Sequence, residues 1–290
     1  MITRTVLVLI GALTFLTACG GDSSSAEDTR LDVVAAFYPV AWAAEQVGGD
    51  TVSVRNLTQP GVEPHDAELS PRDVERIRSA DLVLYFGSGF QPAVEDAVEG
   101  ADGETVDLLT GQDLARAVEE EGELTADPHI WLDPFRYADV VRSIAKALGR
   151  SSEAAGLLSK LDKLDRDFAQ GLARCKRREI VTTHAAFGYL ARRYRLEQIA
   201  LTGLSPEAEP TPQDLESVVR QVRESKATTI FFETLISPRL AETVARETGA
   251  ETAVLDPIEG LTEDAIGRGE DYLSVMWANL TALRRALDCR

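Results

Sequence analysis

Short runs of β-branched and apolar residues alternate along the chain with stretches in which apolar side chains recur every three or four positions. The first pattern suits strands and the second amphipathic helices. In the first half, strands are predicted at 32–36, 52–57, 82–86 and 105–108, with helices near 41–47, 71–79 and 90–99 between them. The second half repeats the rhythm, with strands at 179–183, 198–201, 229–232 and 252–255 and helices near 187–194, 212–225, 238–248 and 272–287. Strands separated by helices imply parallel sheets, because a parallel pair needs a crossover long enough to hold a helix.

Between the halves, residues 135–175 contain no strand-like run. Leu157, Leu158, Leu161, Leu164 and Phe168 recur there at helical spacing, with a break only around 149–152. The fold expected is therefore α/β, with two Rossmann-like lobes, each a mostly parallel sheet flanked by helices. The N-terminal lobe covers 31–134, the helical connector 135–175 and the C-terminal lobe 176–290. A cleft between two such lobes is where a ligand is expected.

The N-terminus departs from this pattern. Arg4 is followed by an apolar run from Val6 to Leu16, of signal-peptide length and short for a membrane span. It ends in Leu16-Thr17-Ala18-Cys19-Gly20, which resembles the lipobox of bacterial lipoproteins. Residues 1–18 then read as a signal peptide, Cys19 as the site of a lipid anchor to the membrane, and the small, polar, acidic 19–30 as a flexible tether. In such an extracytoplasmic setting the other two cysteines, Cys175 and Cys289, are expected to form a disulfide.

Apolar residues make up 44% of the 290 and charged residues 27%, the balance of a globular chain with a real core. The formal charge of −18 argues against nucleic acid as a partner.

The candidate chemistry rests on the only three histidines, His65, His129 and His184. Each lies close to the carboxyl end of a predicted strand, in the loop leading to the next helix, and Asp256 in Leu255-Asp256-Pro257 has the same setting. Ligands of open α/β sheets bind at such strand ends. The four residues are far apart in sequence and can meet only if the fold assembles them, two from each lobe. Neutral imidazole and carboxylate are good ligands for a borderline transition-metal ion, and four of them fill a tetrahedral zinc site.

Gly61-Val62-Glu63-Pro64-His65, Asp127-Pro128-His129-Ile130-Trp131-Leu132-Asp133-Pro134, Thr183-His184-Ala185-Ala186-Phe187-Gly188-Tyr189 and Leu255-Asp256-Pro257 follow one another as in a known family. From about Leu31 onward the chain resembles the zinc and manganese solute-binding lipoproteins of ABC uptake transporters, the ZnuA-like group. Glu207-Ala208-Glu209-Pro210-Thr211-Pro212 and Phe232-Glu233-Thr234 fit the same pattern. The resemblance implies two lobes joined by one long backbone helix and a metal held in the cleft by His65, His129, His184 and Asp256. It also implies delivery of the metal to an ABC transporter permease in the cytoplasmic membrane, and a monomer is expected. Glu233 is the reserve candidate, as a weaker ligand or a carboxylate supporting one. Glu63, Asp66 and Asp133 read as local structure, and Trp131 and Phe187 as packing beneath the site.

Zinc-specific members often carry a long histidine-rich insertion between the first two ligands; here the counterpart is the acidic run Glu119-Glu120-Glu121-Gly122-Glu123. Zn(2+) is still favoured over Mn(2+), because manganese-leaning relatives tend to carry a carboxylate where this chain has His184, and manganese prefers oxygen donors. A secreted zinc hydrolase is the alternative of another class. Against it stand a fourth protein ligand and the absence of a His-Glu-x-x-His helix. A surface adhesin on the same anchor is the third reading.

Overall fold

The computed structural model describes residues 30–65, 67–118, 124–206 and 211–290. The signal peptide, Cys19 and nearly all of the tether lie outside the described residues, as do Asp66, the run Glu119 to Glu123, and Glu207 to Pro210.

In the N-terminal lobe, β1 (Leu31–Ala35), β2 (Val52–Asn56), β3 (Leu82–Tyr85) and β4 (Glu104–Asp107) form a parallel sheet in the order β2-β1-β3-β4. Helices α1 (Tyr38–Gly48), α2 (Pro71–Ser79) and α3 (Pro92–Val98) make the crossovers. The inner strands β1 and β3 are the most buried and the edge strand β4 the least, as parallel sheets covered by helices require. Helix α2 starts where it does because Pro71 follows Ser70, whose hydroxyl accepts from Asp73 N while the Asp73 carboxylate accepts from Ser70 N.

A short antiparallel hairpin, β5 (Arg116–Val118) and β6 (Leu124–Ala126), precedes the His129 segment. It was not anticipated. Its strands are too short to show a period, and the acidic run between them reads as loop.

The connector is two helices, α4 (Pro134–Ala147) and α5 (Ala155–Gly171), with the break where the sequence pattern places it. The physical reason is Gly149, which adopts φ 64° and lets Arg150 N turn back onto the Ala145 carbonyl, closing α4. At about 1.5 Å per residue, the 17-residue α5 is roughly 25 Å long. It packs against α4 and α10, with the Leu280 and Arg284 side chains close beside its Gly171.

In the C-terminal lobe, β7 (Glu179–Thr182), β8 (Glu197–Ala200), β9 (Thr229–Phe232) and β10 (Glu251–Val254) form a second parallel sheet, in the order β10-β9-β7-β8. Helices α6 (Gly188–Tyr194), α7 (Pro212–Ser225) and α8 (Arg239–Thr248) connect its strands, followed by α9 (Glu263–Gly267) and α10 (Tyr272–Ala286). From its other edge, this sheet has the topology of the first: second strand, first, third, fourth. In both, the chain reverses its winding direction between the first and third strands, the switch point at which open α/β sheets bind ligands.

Cys175 and Cys289 are joined as a disulfide. The main core is continuous from the N-terminal sheet through Leu157, Leu161, Leu164 and Phe168 to Tyr272, Met276 and Leu283 of α10. A smaller core of Val181, Val218, Val222, Ile230 and Val244 lies under α7 and α8.

Candidate metal centre

Four loops converge where the lobes meet. The loop after β2 brings His65, whose backbone N–H donates to the Glu63 carboxylate at 2.9 Å. Gly61, at φ 80°, donates its N–H to the Leu261 carbonyl and so lays this loop beside the segment that follows Asp256. Beyond β6, Asp127 folds the chain back on itself, one oxygen accepting from His129 N at 3.0 Å and lying 2.8 Å from its Nδ1. Trp131, fully buried, lies beneath His129 with its ring 5.1 Å away.

His184 follows β7, and Glu233 follows β9, its parallel neighbour in the sheet. That adjacency puts Glu233 Oε1 2.9 Å from His184 Nδ1, while the Thr183 hydroxyl donates to the same oxygen at 2.6 Å. The carboxylates of Asp127 and Glu233 therefore each hold one ring nitrogen, leaving Nε2 of both histidines facing the centre. Such partners fix the tautomer and orientation that a metal ligand needs.

The fourth member of the cluster is Glu259. Its Oε1 is 3.1 Å from His129 Nε2, 3.3 Å from His184 Nε2 and 3.4 Å from His65 Nε2. The Nε2 atoms of His65 and His129 are 3.3 Å apart, and one ligand atom from each of the four residues falls within 4.8 Å of all the others. Glu259 Oε2 and His184 Nε2 are buried and make no hydrogen bond among the described residues.

Asp256, expected as the fourth ligand, lies outside this cluster. Its two oxygens are used locally: Oδ1 accepts from Ile258 N at 2.7 Å and Oδ2 from the Thr234 hydroxyl at 2.6 Å. Between Asp256 and Glu259 the chain passes through Ile258 at φ 57°, a left-handed conformation costing a β-branched residue about 1 to 2 kcal/mol. This reversal sends the second acid, not the first, into the cluster. The available signal was weak: Glu259 is an isolated acid in an apolar stretch ending in Gly260.

Electrostatics follow from burial and proximity. Burial alone would strip the proton from all three imidazoles, and for His65 it prevails and lowers the pKa. For His184 burial is outweighed by the charges of Glu233 and Glu259, which push it up to about 10. For His129 the hydrogen bonds of Asp127 and Glu259 likewise overcome burial and raise it. Glu259, though fully buried, is held well below the usual carboxylate range by these imidazoles, His184 foremost. Glu63, beside it, is pushed up to about 9 by burial and by the Glu259 charge. The centre thus holds a carboxylate and imidazolium protons together, a set that a divalent cation can replace by displacing protons.

The family described as ZnuA, zinc-uptake complex component A, periplasmic, matches residues 33–286. The chain belongs to this family. Members similar to it include the zinc-binding lipoprotein AdcA of Streptococcus pneumoniae, 37% identical over 94% of this chain and 59% of AdcA. The chain thus spans about three fifths of that relative's length. The crystal structure of the Zn(II)-bound ZnuA-like domain of AdcA superposes with a TM-score of 0.76, covering 89% of this chain and 99% of that one. The high-affinity zinc uptake system protein ZnuA of Bacillus subtilis is 32% identical over 97% of both chains. The laminin-binding protein Lmb of Streptococcus agalactiae, described as having adhesin and metal transporting activity, is 29% identical at a TM-score of 0.81, over 89% of this chain and 99% of Lmb.

Proposed function

We propose that this chain is the extracytoplasmic solute-binding component of a metal-uptake ABC transporter, capturing Zn(2+) between its lobes and delivering it to a membrane permease. The reading rests on one observation, the convergence of three imidazole Nε2 atoms and a carboxylate within a single 4.8 Å cluster. His65, His129, His184 and Glu259 are the proposed ligands, with Asp127 and Glu233 orienting two of them. Three nitrogens and one oxygen suit zinc better than manganese, which prefers oxygen donors. A fourth protein ligand closes the coordination sphere, whereas a hydrolytic zinc site keeps a position for water. The family's zinc-uptake role points the same way, away from an enzyme. The lipobox-like Leu16-Thr17-Ala18-Cys19 supports a lipid anchor on Cys19, which would hold the protein near its permease.

Calorimetric titration of the metal-free protein with zinc and with manganese tests this. One zinc per chain, bound more tightly than manganese, is expected. A folded protein that takes up neither ion at one per chain would refute metal capture, and tight manganese with weak zinc would overturn the choice of ion.

A further inference from the structure

We infer that Asp256 is a positioning residue, which folds the turn after β10 so that Glu259 points at the three imidazoles and does not itself hold the metal. The inference builds on the reading of Glu259 as a ligand.

A parallel strand delivers its carboxyl end towards the cleft, and the chain must then reverse within a few residues for Glu259 to reach the cluster. The reversal is made at Ile258, whose left-handed φ of 57° is unusual for a β-branched side chain and persists only where the surroundings impose it. Asp256 imposes it directly, its Oδ1 accepting the Ile258 N–H at 2.7 Å. Its other oxygen is held by the Thr234 hydroxyl at 2.6 Å, beyond the end of the neighbouring strand β9.

The backbone of Asp256 is clamped as well. The Asn279 side chain on α10 accepts from Asp256 N at 2.9 Å and donates to Asp256 O at 2.7 Å. The next carbonyl, that of Pro257, accepts the Trp131 indole N–H at 2.7 Å from the N-terminal lobe. Trp131 stands beside His129, so this bond fixes the distance between two ligand-bearing segments more than a hundred residues apart. Every polar atom of Asp256, side chain and backbone, thus has a partner in the turn, after β9 or on α10. Its carboxylate stands outside the cluster that joins Glu259 to the three imidazoles.

The test uses full-length Asp256→Ala, Asp256→Asn, Glu259→Gln and Asp256→Ala/Ile258→Gly. Zinc affinity is read by chelator competition, coordination by the visible absorption of Co(2+) in place of zinc, and folding by thermal unfolding. Asp256→Asn keeps an oxygen for Ile258 N–H, and its amide can donate to the Thr234 hydroxyl. It should bind zinc within a few-fold of the wild type and keep the cobalt spectrum, while Glu259→Gln loses both. Asp256→Ala should weaken zinc about 10- to 100-fold. Adding Ile258→Gly should recover part of that loss, because glycine enters the left-handed region freely. If Asp256→Asn abolishes zinc binding and changes the cobalt spectrum as Glu259→Gln does, the carboxylate serves as a ligand and the inference falls. It falls too if a folded Asp256→Ala binds zinc normally. The comparison of Asp256→Asn with Glu259→Gln decides the matter even where Asp256→Ala fails to fold. Absence of zinc binding by the folded wild type would instead remove the metal site itself.

Discussion

The two lobes share one strand order but present their ligands differently. The C-terminal lobe offers His184 straight from the end of β7 and Glu259 from a turn tied to α10, with side-chain exposures of 1% and 0%. The N-terminal lobe sends His65 out on a long loop, where the side chain keeps 11% exposure. Only His129, fully buried and bonded to Asp127, matches the C-terminal pair. Protonation divides them the same way: burial lowers His65, whereas the Glu233 and Glu259 charges override burial and push His184 up to about 10. At neutral pH His65 can receive an ion at once, while His184 must first give up a proton. In the proposed site the buried His129, His184 and Glu259 form the wall, and the more exposed His65 is the door.

The largest effect that bears on this contrast is on stability. The Cys175–Cys289 disulfide joins residues 114 apart, tying the start of the C-terminal lobe to its end. The double change Cys175→Ser/Cys289→Ser should lower unfolding free energy in urea by about 4 to 5 kcal/mol on the chain-entropy account. Zinc affinity should hold, because the bridge lies before β7 and the ligands lie beyond the strand's other end. A tenfold weaker affinity in the reduced protein would show that the wall depends on this clamp.

Next come the histidines themselves. Four ligands sharing roughly 12 kcal/mol contribute about 3 kcal/mol each, on the order of a hundredfold in affinity. His184→Ala should lose at least that, since it leaves Glu233 and Glu259 facing one another in a buried site without their shared cation. His65→Ala should lose less, about tenfold, because water can take the place of a ligand at the exposed side. Equal losses in the two variants, measured by competition with a chelator, would erase the distinction between wall and door.

Much of this wall could be read from sequence. All eight strands of the two sheets lie within a residue or so of their predicted ends, because largely apolar runs such as Leu82–Tyr85 and Thr229–Phe232 are bounded by turn residues and helix caps. Of the three histidines only His184 stands just past a parallel strand, β7; His65 lies well beyond β2 on a loop and His129 follows the antiparallel hairpin, so their convergence rests on how the loops fold. Glu259 was not legible, because its place depends on the handedness of Ile258, and an isoleucine carries no sign that it will adopt a positive φ. Asp256 was the acid read as a ligand, from its place just past the strand and from the Leu255-Asp256-Pro257 pattern. The contact between Trp131 and Pro257 was equally hidden, since it is made only when the lobes meet. In the connector the break around Gly149 was visible, and it separates α4 from α5.

The smallest effect is also the most specific to the contrast between the two kinds of histidine. Burial opposes the proton on His184, and the Glu233 charge is foremost in overcoming it, giving a pKa of about 10. In the metal-free protein at neutral pH the imidazole is therefore protonated on both nitrogens, and zinc must displace the proton on Nε2 while Nδ1 keeps its bond to Glu233. Protons compete with zinc, so affinity should fall as pH falls, about tenfold per pH unit for each proton displaced. Glu233→Gln keeps an acceptor for Nδ1 but removes the charge, so the His184 pKa should drop and fewer protons leave on binding. Its affinity should be up to about tenfold weaker in alkaline solution, where the lost support for His184 dominates, with the gap narrowing on acidification because the variant has less of a proton to displace. Calorimetry in buffers of different ionisation enthalpy counts the released protons directly. An unchanged count in Glu233→Gln would mean that Glu233 does not set the protonation of His184, and the fixed wall would lose its electrostatic difference from the door.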